Sequence, residues 1–231
     1  MEKKTIVISL GGSLIIPDDV NYSYLEKFKK VIKNNTRKYK FVIVCGGGGL
    51  ARKYITALRK TGANTKLQSL SGISATRTNA RFMSYFFRLD QKKGIPHRMR
   101  TIKKYLKKED IIFCGALKYK PRQTSDSTAA EIASKLKSDF INLTNIKGLF
   151  TDNPLTNKKA KFIEEISWEE FEKMATKSKF KPGQHFVLDQ SAAEIIKTNK
   201  IRTIIIGKDT KQLDNLLKGK KFVGTTIENQ K

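Results

Sequence analysis

The chain has 231 residues, of which 39% are hydrophobic and 9% aromatic, and its 47 Lys and Arg against 21 Asp and Glu give a formal charge of +26. That length and apolar content can bury a core without metal or disulfide staples, which excludes the disordered and disulfide-dense classes. No stretch is apolar and long enough to cross a membrane and the first residues show no secretory pattern, so a cytoplasmic protein is expected.

Residues 5–10 read as a buried strand ending in Gly11, Gly12 and Ser13. Ser23-Tyr24-Leu25-Glu26 fits a capping box for a helix whose buried face is Leu25, Phe28 and Ile32. A second apolar strand, Phe41 to Cys45, runs through Gly46–Gly49 into a helix on which Leu50, Tyr54, Ala57 and Leu58 recur at helical spacing. Residues 69–90 read as a long helix with Ile73, Ala80, Met83 and Phe87 inward; Arg77 and Asn79 lie within it, and a solvated face is one reading of them. Residues 99–108 form a basic helix and Ile111–Phe113 a short strand. Thr124-Ser125-Asp126-Ser127 opens a helix with Ala129, Ile132, Ala133 and Leu136 on one face. A strand at Phe140–Leu143 leads to a turn at Asp152-Asn153-Pro154, and Ser167–Glu170 is another capping box. Residues 177–187, with Pro182 and Gly183, read as an exposed loop. A helix from Asp189 to Thr198, a strand at Thr203–Ile206, a helix capped by Asp209 and a closing strand at Phe222–Ile227 complete the chain.

Strands alternating with helices predict an α/β fold, a three-layer αβα sandwich with a mostly parallel central sheet. Ligands of such sheets collect at the carboxyl ends of the strands. Both glycine turns, the helix start at Thr124–Asp126 and Thr144–Asn145 fall there. A strand passing through glycines into a helix start suits phosphate, because glycine lets the backbone approach and the helix offers free N–H groups and partial positive charge. Arg52 and Lys53 add full charges one turn in. Two such turns predict two anionic groups held close together.

G-x-x-x-x-G-K-[ST] is absent, which excludes a P-loop. Gly46, Gly48 and Ala51 satisfy G-x-G-x-x-A loosely, but a dinucleotide fold needs an acidic residue about 20 positions on, and Lys66–Ser71 offers none. Cys45 and Cys114 end apolar strands and read as buried free thiols of a reducing compartment. His97 and His185 read as surface residues. The cations are spread along the helices; the densest run, Arg98 to Lys108, has no groove-entering motif and no aromatic stacking set. Nucleic acid is therefore expected to bind only non-specifically, at low salt.

In register, G-G-S at Gly11–Ser13, G-G-G-x-L-A-R-K-Y ending at Tyr54, G-I-x-x-T-R-x-N-A at Gly72–Ala80, T-[ST]-D-x-x-A-A at Thr124–Ala130 and T-N-x-x-G-L-F-T-x-x-P at Thr144–Pro154 resemble the amino-acid-kinase superfamily, and within it the archaeal type of UMP kinase. Ile205–Lys208 and Gly224–Ile227 are similar too, so the resemblance spans residues 1–231 as one domain. It implies transfer of the γ-phosphoryl group of MgATP to UMP, giving UDP for pyrimidine nucleotide synthesis, by a homohexamer. It places Gly12, Ser13, Gly48 and Arg52 on the ATP phosphates, and Thr144, Asn145, Phe150 and Asn153 around the ATP base and ribose. Gly47, Thr124 and Ser125 fall to UMP, as does Ser69, which stands where the family usually has an acidic residue for the UMP ribose. Asp126 organises the phosphate-binding groups and acts with Arg52 in catalysis; Mg²⁺ comes with ATP, and no side chain is assigned as a metal ligand. Lys147 stands in place of the family's V-D-G carboxylate. Two alternatives share the fold: a kinase of another small acceptor such as isopentenyl phosphate, and a non-catalytic nucleotide or oxyanion binder. The first wants an apolar tunnel where Arg77 and Asn79 stand.

Overall fold

The structure is a computed structural model that describes residues 3–121, 123–152, 154, 156–177 and 188–229. Asn153, and the predicted loop beyond Lys177 with Pro182, Gly183 and His185, lie outside the described residues.

In chain order the elements are β1 (Lys4–Leu10), α1 (Gly12–Ile15), α2 (Tyr22–Asn35), β2 (Tyr39–Cys45), α3 (Gly48–Lys60), α4 (Thr65–Phe86), a single 3₁₀ turn (Gln91–Lys93), α5 (Met99–Leu106), β3 (Ile111–Cys114) and α6 (Ser125–Leu136). There follow β4 (Asp139–Leu143), β5 (Leu149–Phe150), β6 (Phe162–Ile163), β7 (Glu165–Ile166), α7 (Trp168–Lys177), α8 (Gln190–Thr198), β8 (Thr203–Ile206), α9 (Thr210–Leu217) and β9 (Thr225–Ile227).

Among the described residues the main sheet has seven strands in the order β3-β2-β1-β4-β8-β9-β7. The strands from β3 through β8 pair in parallel, β9 runs antiparallel to β8, and β7 is parallel to β9. Period-two alternation divides the core. Ile6, Ile8, Leu10, Phe41 and Ile43 face a cluster with Leu25, Phe28, Ile32, Met83, Phe87 and Leu213, from α2, α4, α9 and the chain just past α4. Val7, Val42, Val44 and Phe140 face the opposite way, onto Ile102, Ala129, Ile132, Phe171 and Ile196 from α5 to α8. Helices on both faces of a mostly parallel sheet are the predicted three layers. Cys45 and Cys114 are buried and unbridged, and burial raises both thiols, Cys114 to about 12.

Several boundaries differ from the sequence reading, each for a local reason. Asn21, not Ser23, caps α2, its side chain accepting from Tyr24 N. Asn64 caps α4 by accepting from Leu67 N, so that helix begins before residue 69, and it ends at Phe86, just ahead of Arg88 at φ +55°. Only Thr225–Ile227 of the closing segment is strand, with Val223 N donating to Gln212 Oε1 instead. The short β6 and β7 went unread because two residues carry no period. Leu50, Tyr54, Ala57 and Leu58 do not form a buried face: only Gly49 of α3 is buried.

Candidate active site

The carboxyl ends of β1 and β2 are joined backbone to backbone. Gly46 N donates to Leu10 O, and Gly49 N to Ile16 O. A Cβ on Gly12 would lie 2.0 Å from Gly48 N, and one on Gly48 would lie 2.3 Å from Gly12 O. Gly48 also has φ +58°, a left-handed value that disfavours any other residue there. The glycines are therefore required by the contact between the turns. The amides of Gly12, Ser13, Gly47 and Gly48 donate to no acceptor among the described residues. Four uncommitted N–H groups stand at one sheet edge, beside the start of the 13-residue α3, an arrangement suited to an anion.

Asp126 enters this edge from the first turn of α6, and Ser9 Oγ of β1 donates to its Oδ1 at 2.6 Å. Burial pushes its carboxyl up to about 7; the nearby Asp189 carboxylate adds to this and the Ser9 hydrogen bond opposes it. Thr124 caps α6 by accepting from Asp126 N and Ser127 N, and Thr124 N donates to Ser127 Oγ, completing a capping box. The Thr124 hydroxyl also donates to Asp189 Oδ2, while Asp189 Oδ1 caps α8 at Ala192 N. The starts of α6 and α8 thus meet at the site.

The remaining expected residues are placed as follows. Thr144 follows β4, its N–H on Ile206 O, and its hydroxyl donates to Asn145 Oδ1 at 3.3 Å. Phe150 pairs across the β5–β6 hairpin with Phe162, ring centroids 5.4 Å apart. Lys147 holds its ammonium 5.6 and 5.2 Å from those two ring centroids, an exposed cation with no carboxylate partner among the described residues. Arg52 is exposed and Nη2 donates to Pro17 O at 2.8 Å, so it braces the segment after α1. Ser69 lies on α4 less than a turn from Gly72, whose carbonyl would face a Gly47 Cβ at 3.6 Å, and its hydroxyl donates to Thr65 O, leaving the oxygen as an acceptor. Ser125 is the first residue of α6.

Two contributors, Ser9 and Asp189, are not legible as site residues in the sequence, and for Asn79, part of the T-R-x-N-A motif, the solvated-face reading is the one that fails. Ser9 sits inside an apolar strand, and Asp189 reads from sequence as a helix start only. Asn79 is not solvated: it is 4% exposed and bonds the glycine turn. The signal for it was present, because Thr76, Ala80, Met83 and Phe87 define the inward face and Asn79 falls on it. Arg77 is likewise turned inward, onto backbone carbonyls.

A cavity of about 840 Å³ opens elsewhere, beside Trp168, Arg202 and Glu228 near the amino end of β8. Arg202 there is already paired with Glu228 and Asp139, and the exposed Lys200 also lines the cavity.

A mostly parallel α/β sheet with two interlocked glycine turns and free amides at its carboxyl edge belongs to the open-sheet class whose ligands sit at that edge. More narrowly, residues 4–207 match the amino acid kinase family model, and the chain belongs to that family. It is 31% identical to a uridylate kinase of Thermoplasma volcanium over 229 residues, covering 98% of this chain and 99% of the relative. It is 32% identical to one of Pyrococcus abyssi over 225 residues, covering 96% and 99%. The crystal structure of uridylate kinase from Archaeoglobus fulgidus superposes with a TM-score of 0.82 at 30% identity, covering 96% of this chain and 99% of that one. A UMP kinase structure from Bacillus anthracis, at 18% identity and a TM-score of 0.81, shares the fold.

Proposed function

We propose that this chain is a UMP kinase, transferring the γ-phosphoryl group of MgATP to UMP to give UDP and ADP for pyrimidine nucleotide synthesis in the cytoplasm, with residues 1–231 acting as one catalytic domain in a homo-oligomer. The observation that carries the reading is the interlock of Gly12 with Gly48, which sets free amides of both turns at one edge. Similarity to uridylate kinases over nearly the whole of each chain supports the choice of acceptor.

The chemistry suits this inventory. The second ionisation of a phosphate monoester lies at about 6, so UMP arrives with an ionised oxygen and needs no general base. The protein has to hold two polyanions in line and neutralise charge that builds on the transferred group. Gly12 and Ser13 would hold the ATP phosphates with Gly48 and Arg52, and Gly47 the UMP phosphate. Thr124, Ser125 and Ser69 would meet UMP; Thr144, Asn145 and Phe150 would line the base and ribose pocket, with Asn153 assigned by resemblance alone. Asp126 would anchor cations around the phosphates. Mg²⁺ is usually held by one or two carboxylates, waters and substrate phosphates. Asp126 fits that role, since Ser9 takes Oδ1 and Oδ2 has no hydrogen-bond partner among the described residues. When bound, the ion supplies charge neutralisation on the phosphates.

The test is a coupled assay of ADP release with MgATP and, in turn, UMP, CMP, dUMP, GMP and isopentenyl phosphate. UMP turnover is expected, and it should be lost in Asp126→Ala. Turnover on isopentenyl phosphate in preference to UMP would move the acceptor assignment. Absence of turnover with ATP still bound would make the chain a nucleotide binder, the second reading, in keeping with Ser69 standing where the resemblance expects a carboxylate.

A further inference from the structure

Helix α4 reaches both loops of the candidate site with polar side chains. Asn79 Nδ2 donates to the carbonyl oxygens of Gly46, at 2.7 Å, and Gly47, at 3.2 Å. Two residues earlier, Arg77 Nε donates to Ala116 O at 3.1 Å and Nη2 to Leu117 O at 2.8 Å. Thr76 Oγ1 accepts from Ala116 N at 3.0 Å. The fit to the loop after β3 is close: a Cβ on Gly115 would lie 2.6 Å from both Arg77 N and Thr76 Oγ1. One rigid helix therefore fixes two carbonyls of the phosphate turn and three backbone groups of the loop that leads to Thr124.

These contacts are directional. A guanidinium is a planar fork whose two donors here meet successive carbonyls, an arrangement that an ammonium cannot copy. The carbonyls bonded by Asn79 belong to the residues just before Gly48, so the amide sets the orientation in which the Gly47 and Gly48 N–H groups are presented. Ala75, Ala80 and Met83 hold α4 in the core, so it transmits displacement without bending freely.

We propose that Thr76, Arg77 and Asn79 form a positioning strut that makes the Gly46–Gly48 turn and the loop after β3 respond as one body, so that a nucleotide seated on the turn orders the loop over the acceptor. This rests on the reading of the turn as a nucleotide site. The strut touches no substrate; it acts through the two loops. It predicts that nucleotide at the turn is felt at residues 115–121 and that Arg77 carries the message.

The experiment is amide hydrogen exchange on the full chain with and without MgADP, which cannot turn over alone, following peptides that cover 46–54 and 115–121. In the wild type both peptides slow on adding MgADP, the loop by about fivefold or more, the lower end of ordinary site-to-site coupling. In Arg77→Met, which leaves the turn untouched, the 46–54 peptide still slows and the 115–121 peptide does not. Arg77→Lys is the second variant should Arg77→Met fail to fold, with the same loss expected. A merely structural role would raise loop exchange equally with and without MgADP and leave the ratio intact. Persistence of the wild-type ratio in the folded variant overturns the strut, as does a wild-type loop that ignores MgADP while the turn is protected. No protection of the wild-type turn itself would instead overturn the nucleotide reading, and the strut with it.

Discussion

Asp126 carries a cost that should be visible in solution. Its carboxyl, raised to about 7 by burial with Asp189 beside it, holds a proton in the folded chain over a range where the unfolded chain has already released it. The folded state binds more protons between the ordinary carboxylate value and about 7, so stability falls as pH rises through that window and the loss is complete above it. Asp126→Asn keeps an oxygen for the Ser9 hydroxyl and removes the titration. Its thermal midpoint should be flatter than the wild type's between pH 4 and 7 and higher above pH 7, as read by differential scanning calorimetry. Activity should run the other way. In the proposed role of cation anchor Asp126 must be ionised, so wild-type kcat/KM should climb through a midpoint near the value of about 7 and level off, and the variant should lose most activity at every pH. At this scale the sequence exposes glycines and capping residues well, since each has a local reason to be where it is. It hides Ser9, Asp189 and the bonds of Asn79, whose partners lie 117, 65 and 33 positions away.

Helix starts are the elements that assemble the site, and their caps serve two purposes. Thr124 caps α6 and also ties it to Asp189 at the start of α8. Thr124→Ala removes both, and a lost cap costs about 1 kcal/mol. For a chain of this size that is roughly 2–4 °C in the thermal midpoint. Thr124→Ser keeps a hydroxyl and should recover the midpoint. If Thr124 also meets UMP, Thr124→Ala should raise the KM for UMP more than that for ATP, measured by initial rates with each nucleotide varied. Equal changes in both would limit Thr124 to capping. The strands of this fold were legible because β1, β2, β4 and β8 are buried on both faces and read as apolar runs, interrupted only by Ser9 in β1 and Asn142 in β4. Helix ends were less so, because Asn21 and Asn64 compete with later Ser residues for the same role and only the backbone decides between them. The end of the chain misled because Phe222 packs on the core as a strand residue would, yet its neighbour Val223 bonds a side chain of α9.

The whole molecule sets a strong charge against an uncovered apolar face. Tyr54 on α3 is 46% exposed, and Leu67 and Leu70 on α4 are 49% and 39% exposed. The two helices pack together where Ile55 meets Gly72, so exposed large apolar side chains stand on both members of one helix pair. Exposed large apolar groups on such a helix pair suit association, in keeping with the proposed homo-oligomer. Two copies at +26 each repel, however. Salt screens that repulsion over a Debye length of about 10 Å at 0.1 M and about 3 Å at 1 M, while apolar burial does not weaken. Association should therefore tighten as salt is raised, opposite to an interface held by ion pairs and opposite to non-specific RNA binding, which loses affinity through counterion release. Sedimentation velocity across salt should show the wild type as an oligomer whose dissociation falls with ionic strength. Leu70→Lys should shift it toward the 26.3 kDa monomer, since it places a cation in the contact and adds to the repulsion. Leu70→Met, close in volume and apolar, should assemble as the wild type does. A wild type that stays monomeric at every salt, or an oligomer that Leu70→Lys leaves intact, would place any assembly surface away from α3 and α4.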